Sequence, residues 1–189
     1  VLTHQSNLAL ACWTITSLLF ASAYYSAYSY IEPFLAQVAK LSNNSITLVL
    51  SLFGVAGIGG SYLFSKFYNL NRKRFILISL FCLTIVLFVL KPSTASIITL
   101  LLICVVWGMS STAFNVACQS ETILVTNEQT SSIAMSIFSG IFNLGIGLGS
   151  FIGGQTINIL NIQSIGYIAS IIGILSVIFY ITRYESVLE

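Results

Sequence analysis

Residues 97–119 read IITLLLICVVWGMSSTAFNVACQ, a stretch that contains no charged side chain. Apolar residues follow one another through it, whereas the strands of a membrane barrel alternate apolar and polar residues. The stretch is therefore typical of a helix, and about 20 helical residues cross a hydrocarbon core of ~30 Å. The whole chain of 189 residues has this character, because 57% of it is hydrophobic and only 6% is charged. A soluble domain has about 25% charged residues, so the sequence predicts an all-α membrane protein.

Uncharged runs between the charged residues predict six transmembrane helices. Each of the first four runs accommodates one helix, and the run 129–182 is long enough for two. The polar stretch that begins at Gly153 and Gly154 predicts the break between these last two helices. The short third run lies between Arg74 and Lys91, whose long side chains can reach the membrane surface. The predicted spans are 8–31, 46–66, 75–91, 97–119, 132–154 and 164–182.

The basic residues predict the orientation of the chain. With six spans, both termini lie on one side of the membrane, together with the loop 67–74. Most of the basic residues fall on this side, and only Lys40 and Lys91 fall on the other. Cytoplasmic loops are the ones enriched in Lys and Arg, so we expect both termini in the cytoplasm. The chain begins Val1-Leu2-Thr3 without a Met or a signal peptide, and we expect it to be a segment of a longer protein.

The residue types present argue against an enzyme. There is no Asp for an aspartyl protease, and the single His4 cannot form a His-Glu-x-x-His zinc site. Neither a Gly-x-Ser-x-Gly motif nor a Gly-rich phosphate-binding loop with a Lys occurs. The net charge of +2 is too small for a nucleic-acid-binding surface. We therefore expect no metal, no cofactor and no nucleic-acid partner, and we expect the cysteines to be small buried apolar residues.

Polar side chains inside the first span point to a transport pathway, because they are costly in a membrane unless they face protein or water. Tyr24 and Tyr28 share one helical face with Glu32, and Tyr25 lies beside them. Tyr rings can stack on a sugar ring, and their hydroxyls can hydrogen-bond to it. The alternative interpretation is an aromatic belt at the outer membrane surface.

Glu32 also has two interpretations. It lies directly before Pro33, where the first helix is expected to end. In one interpretation it takes up or releases the coupling proton at the outer mouth of a cavity. In the other it is a solvated residue that ends the helix and pairs with Lys40, and such exposed pairs contribute little to stability. A proton carrier is usually better buried, which favours the second interpretation.

The fourth and fifth spans carry neutral polar side chains that suit a solute without formal charge. Trp107, Ser111, Asn115 and Gln119 recur every four residues on one face of the fourth span, and Asn143 adds an amide in the fifth. We predict that Trp107, Ser111, Asn115 and Asn143 contact the solute. The alternative interpretation is that the Ser and Asn side chains hydrogen-bond neighbouring helices together.

Glycines in the fifth span predict a close helix contact. Gly145, Gly149 and Gly153 follow at steps of four, so they share one face on which another helix can approach closely. A second glycine cluster lies in the second span, at 54–60. Because glycine has no side chain to interlock with the neighbouring helix, such a contact also suits helices that move relative to one another.

Three stretches carry a resemblance to a known family: SYIEPFL (29–35), FGVAGIGG (53–60) and AMSIFSGIFNLGIGLG (134–149). They resemble the second half of a major facilitator transporter. More narrowly, the chain looks like the drug:proton antiporter-1 group, which includes the bacterial sugar efflux transporters. The resemblance implies one half of a twelve-helix fold, so the chain corresponds to family helices seven to twelve and lacks the N-terminal half. It also implies that the first and fourth spans, family helices seven and ten, line the central cavity.

The resemblance extends to a basic loop. Lys66, Arg72, Lys73 and Arg74 resemble the basic residues of the family's cytoplasmic loop motif, Gly-x-x-x-Asp-Arg-x-Gly-Arg-Arg. The acidic position of that motif is Ser65 in this chain. A charge relay through the loop is therefore not expected in its usual form.

The function that the resemblance implies is proton-coupled efflux of sugars or similar small neutral solutes across a bacterial cytoplasmic membrane, by alternating access. The expected partners are the solute, protons, the lipid bilayer and the missing six-helix half. Two alternatives stay open. One is efflux of drugs, nucleosides or amino acids by the same fold, and the other is a non-transporting six-helix scaffold or half-transporter subunit. The residues expected to contact the solute are Tyr24, Tyr25, Tyr28, Trp107, Ser111, Asn115 and Asn143.

Overall fold

The computed structural model describes residues 4–124, 126 and 128–184, and confirms an all-helical fold. Seven α-helices lie within these residues: α1 (His4–Tyr28), α2 (Ile31–Gln37), α3 (Asn43–Phe67), α4 (Arg72–Val89), α5 (Ile97–Leu124), α6 (Glu128–Ile159) and α7 (Ile165–Phe179). Short 3-10 turns follow α3, α4 and α6, and α7 continues into a π-helical turn, Tyr180–Tyr184.

The structure places long helices near the predicted spans but changes several of their ends. α5 continues to Leu124 rather than ending near 119. α6 runs through Gly153 and Gly154 to Ile159, beyond the predicted end near 154, so the break falls later in the predicted polar stretch than these glycines. Glycine alone does not end a helix when a neighbouring helix packs against it, because tertiary contacts outweigh its low helical propensity of about 1 kcal/mol. The chain leaves the helix only at the polar residues that follow Ile159.

The first span ends earlier than expected, and this changes the position of Glu32. α1 ends at Tyr28, and Glu32 lies in the first turn of the separate short helix α2. Pro33 is part of that same turn, where a backbone N–H has no partner within the helix, so the proline starts α2 rather than ending α1. The expectation that Glu32 ends the first helix is therefore wrong.

Four segments of the described chain are long and apolar enough to cross a membrane: Asn43–Leu70, Ile97–Leu124, Thr130–Ile159 and Ile162–Arg183. α1 and α4 pack with them in the same bundle. α4 opens with three basic residues, Arg72, Lys73 and Arg74, which lower its apolar character. The count of six spans stays a prediction. Both ends of the chain lie outside the described residues.

The helices pack in the order α6, α1, α7, α4, α5 and α3, each against the next. Aromatic residues join α1 to α5 at the centre of the bundle. The rings of Phe20 and Phe114 stack with centroids 4.0 Å apart. The indole N–H of Trp13 donates to the backbone carbonyl of Cys118 at 3.1 Å. These buried contacts hold α1 against α5. They thereby fix the relative positions of the polar and aromatic side chains that the two helices carry.

The contact between α1 and α6 is close because glycines line it. A Cβ added at Gly149 would lie 2.5 Å from the carbonyl oxygen of Ser22, and one added at Gly145 would lie 2.7 Å from the Cβ of Ala21. Gly153 likewise faces the α1 backbone. Real Cβ atoms do not approach other heavy atoms so closely, so α6 can lie this near to α1 only with glycine at these positions.

Candidate substrate-binding cleft

A cleft of about 180 Å³ lies between α1 and α5, with α6 at its side. None of its lining side chains carries a formal charge at neutral pH. They come from three helices: Phe20, Tyr24 and Tyr25 from α1, Ser111, Thr112 and Asn115 from α5, and Phe142 from α6. Aromatic rings therefore share the wall with hydroxyl and amide groups, a mixture common in sites for small polar molecules.

Tyr24 is the centre of an aromatic cluster behind and beside the cleft. Its ring lies 4.8 Å from that of Tyr25 at an interplanar angle of 74°, and 5.0 Å from that of Tyr28 at 24°. The ring of Trp107 stands edge-on to Tyr24 at 6.0 Å. The structure thus brings the predicted aromatic residues of α1 and α5 together. Tyr24 and Tyr25 line the cleft, whereas Tyr28 and Trp107 form the layer that supports them.

Trp107 carries an unusual polar group within this layer. Its side chain is fully buried, and its indole N–H has no hydrogen-bond acceptor among the described residues. Phe53 of α3 packs edge-on against it, with centroids 5.5 Å apart. Buried donors without an acceptor are uncommon in native proteins because each costs about 1–3 kcal/mol.

The polar groups of α5 are oriented by short hydrogen bonds. The Asn115 side-chain oxygen accepts from Gln119 Nε2 at 2.8 Å, which leaves the Asn115 amide N–H groups as donors toward the cleft. The Ser111 hydroxyl donates to the carbonyl of Gly108 at 3.1 Å, and its oxygen can still accept a hydrogen bond. These contacts hold both donors and acceptors in place before any solute binds.

Asn143 does not line the cleft, although its neighbour Phe142 does. The Asn143 amide is exposed and donates to the carbonyl of Ser139, one turn earlier in the same helix, at 2.8 Å. This hydrogen bond turns the Asn143 amide back along α6, whereas the ring of Phe142 reaches the cleft. Phe20, Thr112 and Phe142 are lining residues that sequence reasoning missed. Of these three, only Phe20 could have been identified from the sequence, because it lies four residues before Tyr24 and therefore on the same helical face.

The profile of the Major Facilitator Superfamily matches residues 13–188. The chain belongs to this superfamily. Its membership confirms the resemblance that the motifs carry, and together with the apolar helices it makes the chain a multi-pass membrane protein.

Three similar proteins share the name probable sugar efflux transporter. The chain is 36% identical to the one from Mannheimia succiniciproducens, 34% identical to the one from Haemophilus influenzae strain PittGG, and 33% identical to the one from Pasteurella multocida. The alignments cover 90–92% of this chain and 43% of each relative. The chain therefore spans less than half the length of these relatives.

Glu32 lies outside the cleft, in a separate cavity of about 520 Å³ between α2 and α3. Three residues of α3, Asn43, Thr47 and Ser51, line the same cavity at steps of four. Glu32 is exposed, and it forms no ion pair with Lys40 in the described part of the chain. The expected Glu32–Lys40 pair is therefore wrong. The polar face of α3 was missed, although its spacing is visible in the sequence.

A buried carboxylate of α5, beyond the predicted end of the fourth span at 119, lies against the basic loop. Glu121 is only 3% exposed, because α5 continues past its predicted end and carries the residue inward. The Tyr68 hydroxyl donates to Glu121 Oε1 at 2.6 Å, and Arg72 Nη1 lies 3.7 Å from the same oxygen. The other basic residues of the predicted motif lie on α3 (Lys66) and in the first turn of α4 (Lys73 and Arg74).

Proposed function

We propose that the chain is the C-terminal half of a secondary transporter that exports sugars or similar small neutral solutes, coupled to proton entry, across a bacterial cytoplasmic membrane. The observation that carries this proposal is the cleft, whose aromatic and neutral polar lining contains no charged side chain. Membership of the superfamily and the name that the relatives share support it.

The chemistry of the lining favours a polyhydroxylated solute. The faces of Tyr24, Tyr25 and Phe142 offer apolar surface for the C–H groups of a sugar ring. Ser111 and Asn115 offer a hydroxyl and amide N–H donors for its hydroxyls. A cation would lack a carboxylate in this wall, and an anion would lack a basic residue. Neutral solutes are therefore the class that the cleft accommodates best.

Transport would proceed as the two six-helix halves rock about a site near the middle of the membrane. The cleft contains no carboxylate, and Glu121 is buried near the end of α5, against the basic loop. We therefore assign the main proton carrier to the N-terminal half. The protein acts as a transporter rather than an enzyme in this proposal, and it uses neither metal nor cofactor.

The test compares two neighbouring serines of α5 in the full-length transporter. Ser111 lines the cleft, whereas Ser110 does not, and each hydroxyl donates to the carbonyl three residues earlier. We expect Ser111→Ala to lower kcat/KM for sugar efflux from proteoliposomes about fivefold, the loss that one hydrogen bond of about 1 kcal/mol produces. Ser110→Ala should leave efflux unchanged. Equal effects of the two variants on every sugar would contradict the assignment of the cleft.

A second candidate has a specific observation in its favour. The stacked rings of Tyr24 and Tyr28 and the edge-on Tyr25 also suit a planar nucleobase or an aromatic drug. A panel of radiolabelled sugars, nucleosides, amino acids and drugs in the same proteoliposomes separates these classes. Efflux of none of them under a proton gradient would leave the non-transporting scaffold as the remaining function.

A further inference from the structure

A long apolar groove follows a face of α5 that does not line the cleft. It consists of two adjoining cavities of about 360 and 180 Å³, which share Leu63, Phe75 and Ile78. The first cavity begins beside Asn71 and Arg74 at the start of α4, and the second reaches Cys82 farther along the same helix. The groove therefore has one polar end and an otherwise apolar wall.

The dimensions of the groove match one leaflet of a membrane. Arg74 and Cys82 are eight residues apart on α4, which corresponds to roughly 12 Å at 1.5 Å per helical residue. Half of the hydrocarbon core is about 15 Å. A lipid acyl chain lying along α4 from the membrane surface would therefore run the length of the groove. Ile78, 60% exposed at its middle, is open to such a chain.

Arg74 is the basic residue that lines this groove. Arg72 is engaged by Glu121, and Lys66 lies 5.4 Å from the centre of the Phe67 ring. Arg74 is exposed and has no carboxylate within ion-pair distance among the described residues. The side-chain oxygen of Asn71 accepts from the Arg74 backbone N–H at 3.0 Å, which fixes the first turn of α4 at the end of the groove.

We propose that this groove binds an anionic phospholipid, with its phosphate at Arg74 and one acyl chain along Phe75 and Ile78 toward Cys82. Basic residues at the membrane surface attract anionic lipids, and an apolar groove that continues from them holds the chain. The site is separate from the cleft and does not depend on the transported solute. Bound lipid fills the space between α3 and α4 and stabilises their contact with α5.

The test is a lipid titration of the purified full-length transporter in a neutral detergent. Phosphatidylglycerol and phosphatidylcholine with the same acyl chains are added, and the thermal unfolding temperature is followed. We expect phosphatidylglycerol to stabilise the wild type more strongly than phosphatidylcholine. Arg74→Gln should raise the phosphatidylglycerol concentration for half-maximal stabilisation about fivefold, the contribution of one basic residue at a membrane surface.

Lys73→Gln is the matched control for charge. It removes one positive charge from the same helical turn, but Lys73 does not line the groove, and its backbone carbonyl accepts from Tyr180 on the α7 side. Lys73→Gln should leave the lipid response unchanged. An equal loss in both variants would show diffuse attraction to the loop and would overturn the site, as would an unchanged response of Arg74→Gln.

A second pair of variants tests the apolar part of the groove. Ile78→Asn places an amide in the groove, whereas Ile85→Asn places one elsewhere on α4 at a residue that is also exposed. Ile78→Asn should abolish the extra stabilisation by phosphatidylglycerol, and Ile85→Asn should retain it. If the missing half or a second copy covers the groove, wild type and Ile78→Asn will respond to lipid alike, and the proposal fails.

Discussion

At the scale of single residues, Glu121 shows how one buried side chain ties three segments together. Tyr68 follows α3, Arg72 begins α4, and Glu121 lies near the end of α5. A carboxylate taken out of water is costly unless hydrogen bonds and opposite charge offset the loss of hydration. Here the Tyr68 hydroxyl and the Arg72 guanidinium supply both, so the loop 67–74 is held against α5.

Removing the Tyr68 hydroxyl should therefore destabilise the protein. We expect Tyr68→Phe to lower the free energy of unfolding by about 2 kcal/mol, because a buried carboxylate loses a hydrogen bond of the charged class. The measurement is thermal unfolding of the full-length protein in detergent. Tyr62→Phe is the control, since Tyr62 is 61% exposed and should change stability little. A Tyr68→Phe protein as stable as this control would contradict the role of the contact.

Mutation of Glu32, in contrast to mutation of Tyr68, is expected to have little effect. It is exposed, and in the described part of the chain no basic side chain pairs with it. We therefore expect Glu32→Gln to leave both proton-driven efflux and solute exchange of the full-length transporter at wild-type levels. The two activities are measured separately in proteoliposomes. Loss of proton-driven efflux with intact exchange would instead make Glu32 a coupling residue.

At the scale of elements, helix contacts in this bundle depend on how closely two backbones approach. The α1–α6 contact runs along Gly145, Gly149 and Gly153, as their spacing predicts for a close contact. At Gly149 even the methyl group of Ala is too large for this contact. The carbonyl of Ser22 lies where the new methyl group would go, and a backbone atom cannot swing aside as a flexible side chain can.

Gly149 variants should consequently lose stability in the order of side-chain size. We expect Gly149→Ala to lower the unfolding temperature of the full-length protein and Gly149→Leu to prevent its folding and transport. Gly147→Ala is the matched control, because a Cβ at Gly147 meets nothing within 4 Å. It should be neutral or stabilising by about 1 kcal/mol, the gain in helix propensity from Gly to Ala. Equal stability of Gly149→Ala and Gly147→Ala would mean that α1 and α6 are farther apart.

At the scale of the whole molecule, the described bundle exposes large apolar side chains on many helices, among them Ile58 at 72% and Ile98 at 66%. A soluble protein rarely leaves so much apolar surface open to water. A lipid bilayer is an environment that covers such a surface. The basic loop, by contrast, gathers most of the positive charge at one end, which is the basis for the expected orientation.

The orientation can be tested by labelling from either side of the membrane. In a background without native cysteines, we expect single cysteines at Ser65 and Asn71 to react with an impermeant thiol reagent only from the cytoplasm. A cysteine at Asn43 should react only from outside. All three positions are exposed in the structure, so accessibility of the side chain does not limit the reaction. Labelling of all three from one side would contradict both the orientation and the count of six spans.

The sequence by itself determined the class of protein, the approximate helices and the aromatic and amide residues that gather around the cleft. These follow from hydropathy and from helical spacing, which are properties of neighbouring residues along the chain. The tertiary structure decided that Phe142 rather than Asn143 lines the cleft, that Tyr28 and Trp107 stand behind it, and that Glu121 is buried. Each of these depends on contacts between distant segments, such as the pair Tyr68 and Glu121, which lie 53 residues apart. The spacing of residues within one helix does not reveal which residues of a distant helix will contact it.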